Sequence, residues 1–389
     1  MKILVSCRLL RTGVMFAVIT VVTYVFLSLC ANISTVKRSH PTGPSEQSQQ
    51  LDPSLKQSSL PLSSSIPQND YSSENELVHL KRNDPEFSFR KNSLFQPSKC
   101  PTSIQKKLLN ISWTSEKYHP EIKQLLTSSN ISVQEYQRLS KYWMPFGFKY
   151  HVDFTYEELL KVLRLFPREE SIFDFSQSET RPQCISCAVV GNGGILNGSK
   201  MGKEIDGHDM VFRVNNCIRR GYEVDVGNRT THLVLMDRSL GQTNIKDVPR
   251  DKGIKYILLP CRKNDFEYIV NEVAGTSRRR KLRADANDVR ILHPDFIRYV
   301  HKIWENTKAF RPTTGGMMFF TALHAGCDSI SVYGMGFTGH FTEHYYDRAF
   351  IRYKSFKASH DFGKEIEILQ SLNRDGVILW YKRDVPEFQ

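Results

Sequence analysis

Apolar and polar positions divide the chain into three stretches. Residues 12–31, TGVMFAVITVVTYVFLSLCA, carry no charge. As a helix they span about 30 Å, the thickness of a bilayer's hydrocarbon core. From about Asn32 to about Ser98 the chain is polar and rich in Ser, Pro, Gln and Asn, with SSLPLSSSIPQND as its extreme. Such a stretch buries too little apolar surface to offset its ordering entropy and reads as a flexible stem, a candidate for O-glycosylation. Further on, short apolar runs recur at 187–190, 210–214, 231–235, 256–259, 329–333 and 377–380. Helical patterns lie between them. One covers 317–325 after TTGG and stops at Gly326; another spaces Phe362, Ile366, Leu369 and Leu372 helically and stops at Gly376. Buried strands alternating with helices predict an α/β domain with a mainly parallel sheet flanked by helices.

Charge orients the first stretch. Lys2, Arg8 and Arg11 precede the apolar run closely, whereas Lys37 and Arg38 follow several residues after it. The nearer positive flank is N-terminal, which puts the N-terminus in the cytoplasm. A cleaved signal peptide is the alternative. It calls for a shorter apolar core and a small-x-small site, and Ser28-Leu29-Cys30 is a poor one. The expected layout is a cytoplasmic tail at 1–11, a transmembrane signal-anchor at 12–31, a disordered stem at 32–98 and a lumenal catalytic domain at 99–389. Sequons at Asn32, Asn110, Asn130, Asn197 and Asn228 agree with lumenal exposure.

The formal net charge of +12 favours acidic partners. Nucleic acid is set aside, because zinc-finger spacing, basic heptads and RNA-binding aromatic signatures are all missing. The dense basic run Arg278-Arg279-Arg280-Lys281, with Arg283, reads as a solvated loop. Eight cysteines include one lone C-x-x-C, Cys184 to Cys187, with no second pair at finger spacing. In an oxidising compartment they serve as staples. Neither G-x-S-x-G nor H-E-x-x-H occurs, which argues against a type II protease.

One run enters a glycine-rich turn, Gly191-Asn192-Gly193-Gly194. In α/β proteins such a turn lets backbone amides approach phosphate oxygens. The dinucleotide fingerprint is incomplete here. Leu196 stands at the third glycine, and the next run ends in Asn215 without an acid for a ribose diol. A P-loop is absent too. NAD and ATP are therefore set aside, and a nucleotide of another kind remains. Taken alone, GNGG fits a structural turn better than a binding loop.

Other segments change that weighting. CAVVGNGGILNGSKMGKEIDGHDMVFRVNN with DVGNRTTH resembles the large motif of the animal sialyltransferases, glycosyltransferase family 29. RPTTGGMMFFTALHAGCDSISVYGMGF resembles their small motif. His344-Tyr345-Tyr346-Asp347 resembles the third, and His360 with Glu365 the very small one, His-x4-Glu. The four stand in the family's order, and the resemblance covers about residues 100–389. It implies a Rossmann-like sheet of the variant GT-A type. It also implies inverting transfer of sialic acid from CMP-sialic acid to a glycan hydroxyl, with no metal and no other cofactor. The lack of a D-x-D pair agrees with that.

By motif position, Asn192 is expected at the donor phosphate and Asn215 at the ribose or cytosine. Thr313, Thr314 and Gly315 match positions that line the nucleotide; Thr313 replaces the family's usual Ser but keeps the hydroxyl. Gly334 and Gly336 are expected to let the backbone approach the base. His360 is the expected catalytic base, and a helix starting just after it disfavours its charged form. His344 is expected to hydrogen-bond the leaving phosphate, with Tyr345 supporting it. Glu365 is expected to orient this region; five helical positions do not share a face, so no direct contact with His360 is asserted. The resemblance also pairs Cys187 with Cys327 and offers Cys100 with Cys184; Cys217 and Cys261 stay unassigned. The wording of the large motif points to the branch adding sialic acid α2,6 to N-acetylgalactosamine on O-glycoproteins, and the moderate stem to its second member. These enzymes sit at the Golgi membrane with the catalytic domain in the lumen. The alternatives are the α2,3 and α2,8 branches, or a non-catalytic CMP- or glycan-binding lumenal protein, against which the two histidines argue.

Overall fold

The sheet is laid out from β3 (Ser186–Val190) in both directions. β4 (Met210–Val214), β5 (His232–Met236), β6 (Lys255–Leu259) and β7 (Val289–Ile291) follow on one side, and β8 (Ser329–Tyr333) then β11 (Leu379–Trp380) on the other. All seven pair in parallel, so the sheet is wholly parallel. The computed structural model describes residues 76–81, 84–149, 154–167, 171–173, 182–236, 248–277, 282, 284–336, 340–348 and 356–383. The expected tail, anchor and most of the stem, with Asn32 and the basic run at 278–281, lie outside them. Among the described residues no helix is long and apolar enough to cross a membrane.

Both faces of the sheet are covered, as a parallel sheet requires. In β3, Cys187 and Val189 pack into one apolar cluster, while Ala188 and Val190 pack into another on the opposite face. β5 divides likewise, with Val234 and Met236 on one side and Leu233 and Leu235 on the other. The helix Thr314–His324 lies inside, with every residue from Gly316 onward buried. It starts three residues earlier than the sequence pattern suggests, because Thr313 caps it by accepting the Gly316 N–H at 2.8 Å. Two bridges, Cys187–Cys327 and Cys100–Cys184, match the expected pairs. Cys217 and Cys261 are buried thiols outside them.

The packed domain begins ahead of the expected boundary at residue 99. β1 (Leu77–His79) pairs antiparallel with β2 (Ser88–Arg90), and Phe89 is 0% exposed in the main core. β2 is fastened by charge. The Arg90 N–H donates to the buried Asp295 carboxylate at 2.6 Å, and Arg298 donates to the Ser88 carbonyl at 2.6 Å. Burial alone would raise the Asp295 carboxyl, but Arg138 and Arg298 hold it well below the usual carboxylate range. One sequon also needs correction. Asn130 is buried, its amide donating to the Leu125 carbonyl and its carbonyl accepting from Thr127, so the folded domain has no room for a glycan there. Asn110, Asn197 and Asn228 are exposed.

A form begun at residue 95 is expected to melt below one begun at residue 76. Phe89→Ala should cost about 3–5 kcal/mol in chemical denaturation. Equal melting of the two forms would return β1 and β2 to the stem.

Candidate active site

The strand order reverses at β3, whose neighbours are β4 and β8. In parallel sheets that switch point opens a crevice beyond the carboxyl ends of the strands. Here the loops leaving β3 and β8 cross in direct contact. Gly191 N–H donates to the Tyr333 carbonyl and Gly193 N–H to the Gly334 carbonyl, each at 2.8 Å. A Cβ on Gly191 would stand 2.4 Å from the Gly334 oxygen, so the crossing requires glycine. Gly334 itself holds φ +61°. The glycines of β8 were expected to make room for a base. Both line the cavity, but the space beside their Cα atoms is filled by protein: Leu196 and the Gly191 carbonyl at Gly334, Trp380 at Gly336.

Beyond the crossing lies a cavity of about 300 Å³. Its lining includes Asn192, Asn215, Thr313, Thr314, Gly315, Gly334, Gly336, His344, His360 and Glu365. Every residue expected to bind donor or carry chemistry is thus brought to one place, from segments up to about 170 residues apart in sequence. Tyr345 is the exception. It is 1% exposed and acts from behind, its N–H donating to the Asn192 carbonyl and its hydroxyl to the Ile218 carbonyl. A larger cavity, about 490 Å³, adjoins Cys327 and Asp328 at the entry to β8, the opposite end of that strand.

Local bonds set each side chain. Asn192 donates from Nδ2 to the Val214 carbonyl at 3.1 Å, and its Oδ1 is a buried acceptor without a donor among the described residues. Asn215 ends β4 in the left-handed region at φ +51°, a conformation Asn tolerates better than most residues. The Thr314 and Gly315 N–H groups belong to a helix's first turn, where no intrahelical acceptor exists, and they face anions favourably. His344 rides on the glycine loop, since Gly194 N–H donates to the Thr342 carbonyl at 3.1 Å. Its Nδ1 donates to Asp347 at 2.5 Å and its ring stacks on Tyr346, so Nε2 is the atom left for a ligand.

His360 stands on the short hairpin of β9 (Phe356–Lys357) and β10 (His360–Asp361), ahead of the helix Phe362–Arg374. Phe310 and Arg311 donate their backbone N–H groups to Ala358 and Ser359, which ties this hairpin to the segment entering Thr313. His360 Nδ1 donates to the Arg311 carbonyl at 3.1 Å. The neutral ring then carries its lone pair on Nε2, the arrangement of a general base. Glu365 bonds to Thr313. One oxygen accepts the Thr313 N–H and the other the Thr313 hydroxyl, both at 2.7 Å.

Much of the large motif is architectural. Arg213 is fully buried and donates to the Val226 and Arg229 carbonyls and to Thr230. Asp206 accepts the N–H groups of Asn228 and Arg229. His232 is buried against Phe212, and burial pulls its ring down to about 3, so it is neutral and structural. Sequence reasoning missed Glu305, a fully buried acid beside Glu365. It lies in no motif, and only contacts made by folding mark it.

A sequence profile described as glycosyltransferase family 29 (sialyltransferase) matches residues 125–377. The chain belongs to this family. Alpha-N-acetylgalactosaminide alpha-2,6-sialyltransferase 1 of Gallus gallus is 34% identical over 317 residues, 74% of this chain and 56% of that protein. The enzyme numbered 2 of Homo sapiens is 31% identical over 278 residues, 64% of this chain and 73% of that protein. These two similarities do not separate the first member of the branch from the second. The chain spans a little over half the length of the first member, from Gallus gallus or Homo sapiens. The crystal structure of a mammalian sialyltransferase superimposes with a TM-score of 0.60 at 25% identity, covering 75% of this chain and all of that one.

Thr313→Val removes both the helix cap and a donor to buried Glu365. It should cost about 2–3 kcal/mol in urea unfolding, the sum of a lost cap and an unmet acceptor. Thr313→Ser should stay close to the parent; equal losses in both variants would place the cost elsewhere.

Proposed function

We propose that the chain transfers sialic acid from CMP-sialic acid to the 6-hydroxyl of N-acetylgalactosamine on O-glycosylated proteins, with inversion and without a metal. We further infer a Golgi setting, with an uncleaved anchor at 12–31 and the catalytic domain in the lumen. The observation that carries the reading is the meeting of His344 and His360 in one cavity with the glycine crossing and an open helix N-terminus. The family's α2,6 relatives support the linkage and the acceptor.

The chemistry follows from the bonds already described. The acceptor oxygen attacks the anomeric carbon of sialic acid from the face opposite the phosphate. The bond from that carbon to the phosphate oxygen breaks, and its electron pair leaves with CMP. The acceptor's proton passes to His360 Nε2, whose partner nitrogen is held by Arg311. The phosphate charge is met by the Thr314 and Gly315 N–H groups and by His344 acting as an imidazolium, whose Nδ1–H is held by Asp347 and whose Nε2–H donates to the phosphate. Asn192 was expected at the phosphate, but its unmet atom among the described residues is the acceptor Oδ1, which suits a ribose hydroxyl or cytosine amine instead. Asp347, bound to Nδ1 of His344, favours the ring orientation that turns Nε2 to the phosphate.

The test is a transfer assay with asialomucin, an N-glycan control and linkage analysis. Sialic acid should appear on N-acetylgalactosamine in α2,6 linkage, and His360→Ala should lower kcat by about 10²–10⁴-fold. Transfer to the N-glycan alone would sink the branch, and CMP binding without turnover would leave a lectin-like protein. EDTA should leave turnover unchanged. A loss would point to Glu343, His344 and Asp347, whose ligand atoms lie within 4.8 Å of one another.

A further inference from the structure

Beneath the cavity wall a second acid meets Glu365. Glu305 closes the π-helical turn Val300–Glu305, a form often found at functional sites, and is 0% exposed. Neither of its carboxyl oxygens receives a hydrogen bond from an N–H or hydroxyl group among the described residues. The carboxyl that faces it is that of Glu365, close enough for one proton to bridge the two. Among the described residues the charged groups facing it are Glu365 and Asp361, both acidic.

The bonds assign the protons. Thr313 Oγ1 accepts the Gly316 N–H, so its own hydrogen goes to Glu365. Glu365 also accepts the Thr313 N–H and is therefore the acceptor in every bond it makes with Thr313. Two carboxyls hydrogen-bond only by sharing a proton, so Glu305 must supply it. Glu365 is also packed against the first turn of the helix: a Cβ on Gly316 would stand 2.8 Å from its carboxylate. We propose that Glu305 is a positioning residue for transfer: as a neutral acid it donates to Glu365, which keeps Glu365 free to hold Thr313 at the donor-binding wall. This rests on the sialyltransferase reading for its link to turnover, but not for the proton itself. Burial pushes the Glu305 carboxyl far up; burial also raises Glu365, but Thr313's two bonds hold it lower than its partner.

The sign of the pH effect follows. An acid whose folded value lies above its unfolded one holds a proton in the native state that the unfolded chain has lost. Stability then falls as pH rises from about 4.5 toward the folded value. Glutamine has the same shape, donates to Glu365 and does not titrate. The buried histidines contribute equally to parent and variant and cancel in the difference.

The experiment uses the full chain in detergent as parent, Glu305→Gln and Glu305→Leu. It reads melting temperature from pH 5 to 9, CMP affinity, and KM for CMP-sialic acid. The Gln variant should melt progressively higher than the parent as pH rises, with CMP affinity within about threefold. The Leu variant, with no proton to give, should bind CMP at least about tenfold more weakly and raise KM alike. A pH-independent melting difference for the Gln variant would overturn the shared proton, even if the Leu variant fails to fold. Normal CMP binding by a folded Leu variant would overturn the positioning role. A parent that neither binds CMP nor transfers would overturn the sialyltransferase reading, while the melting comparison still decides the pair.

Discussion

The site depends on two backbone loops meeting with no side chain between them. Gly191 and Gly193 lie against the Gly334 carbonyl, and the hydrogen bonds there leave no room for a Cβ on Gly191. One half of what is expected to touch donor is referred to that crossing. Asn192 is part of one loop. The segment carrying His344 is bonded to Gly194 and, through Tyr345, to Asn192. Asn215 ends the strand beside β3. Any side chain on Gly191 would therefore move both strand ends and two elements resting on them.

The other half of the cavity is built on a different principle. Its framework is a helix N-terminus whose cap is gripped by a carboxylate, with a second acid behind it. Among the described residues no cation is paired with that charge. It is limited by keeping a proton between Glu305 and Glu365, in a place where burial penalises every ionised group. The hairpin carrying His360 is bonded to the same segment through Phe310 and Arg311. Nucleotide wall and candidate base are therefore positioned by one stretch of six residues, 310–315.

Five-residue strands that are mostly apolar were legible in the sequence: 210–214 and 329–333 are β4 and β8 as observed. β7 was not. It has three residues, and its middle one is Arg290, buried by bonds to carbonyls at Ser171, Asn287 and Val289. β2 escaped notice because its partners lie about 200 residues away. Gly315 and Gly316 read as loop, since glycine disfavours a helix interior by roughly 1 kcal/mol relative to alanine. The helix includes them because Glu365 occupies the space where a side chain at 316 would sit. Motif resemblance found the cavity's polar lining. It could not find Glu305, whose significance lies in what it lacks, a donor.

The two disulfides close consecutive rings, spanning 84 and 140 residues, with only Ile185 and Ser186 between them. Tension applied between the chain ends would run from Cys100 to Cys184, through those two residues to Cys187, and across to Cys327. Asn192, Asn215 and Thr313 lie inside the bypassed rings and carry none of it. His344 and His360 lie outside. Mechanically, the nucleotide half of the cavity is shielded, and load falls on the half that bears the histidines.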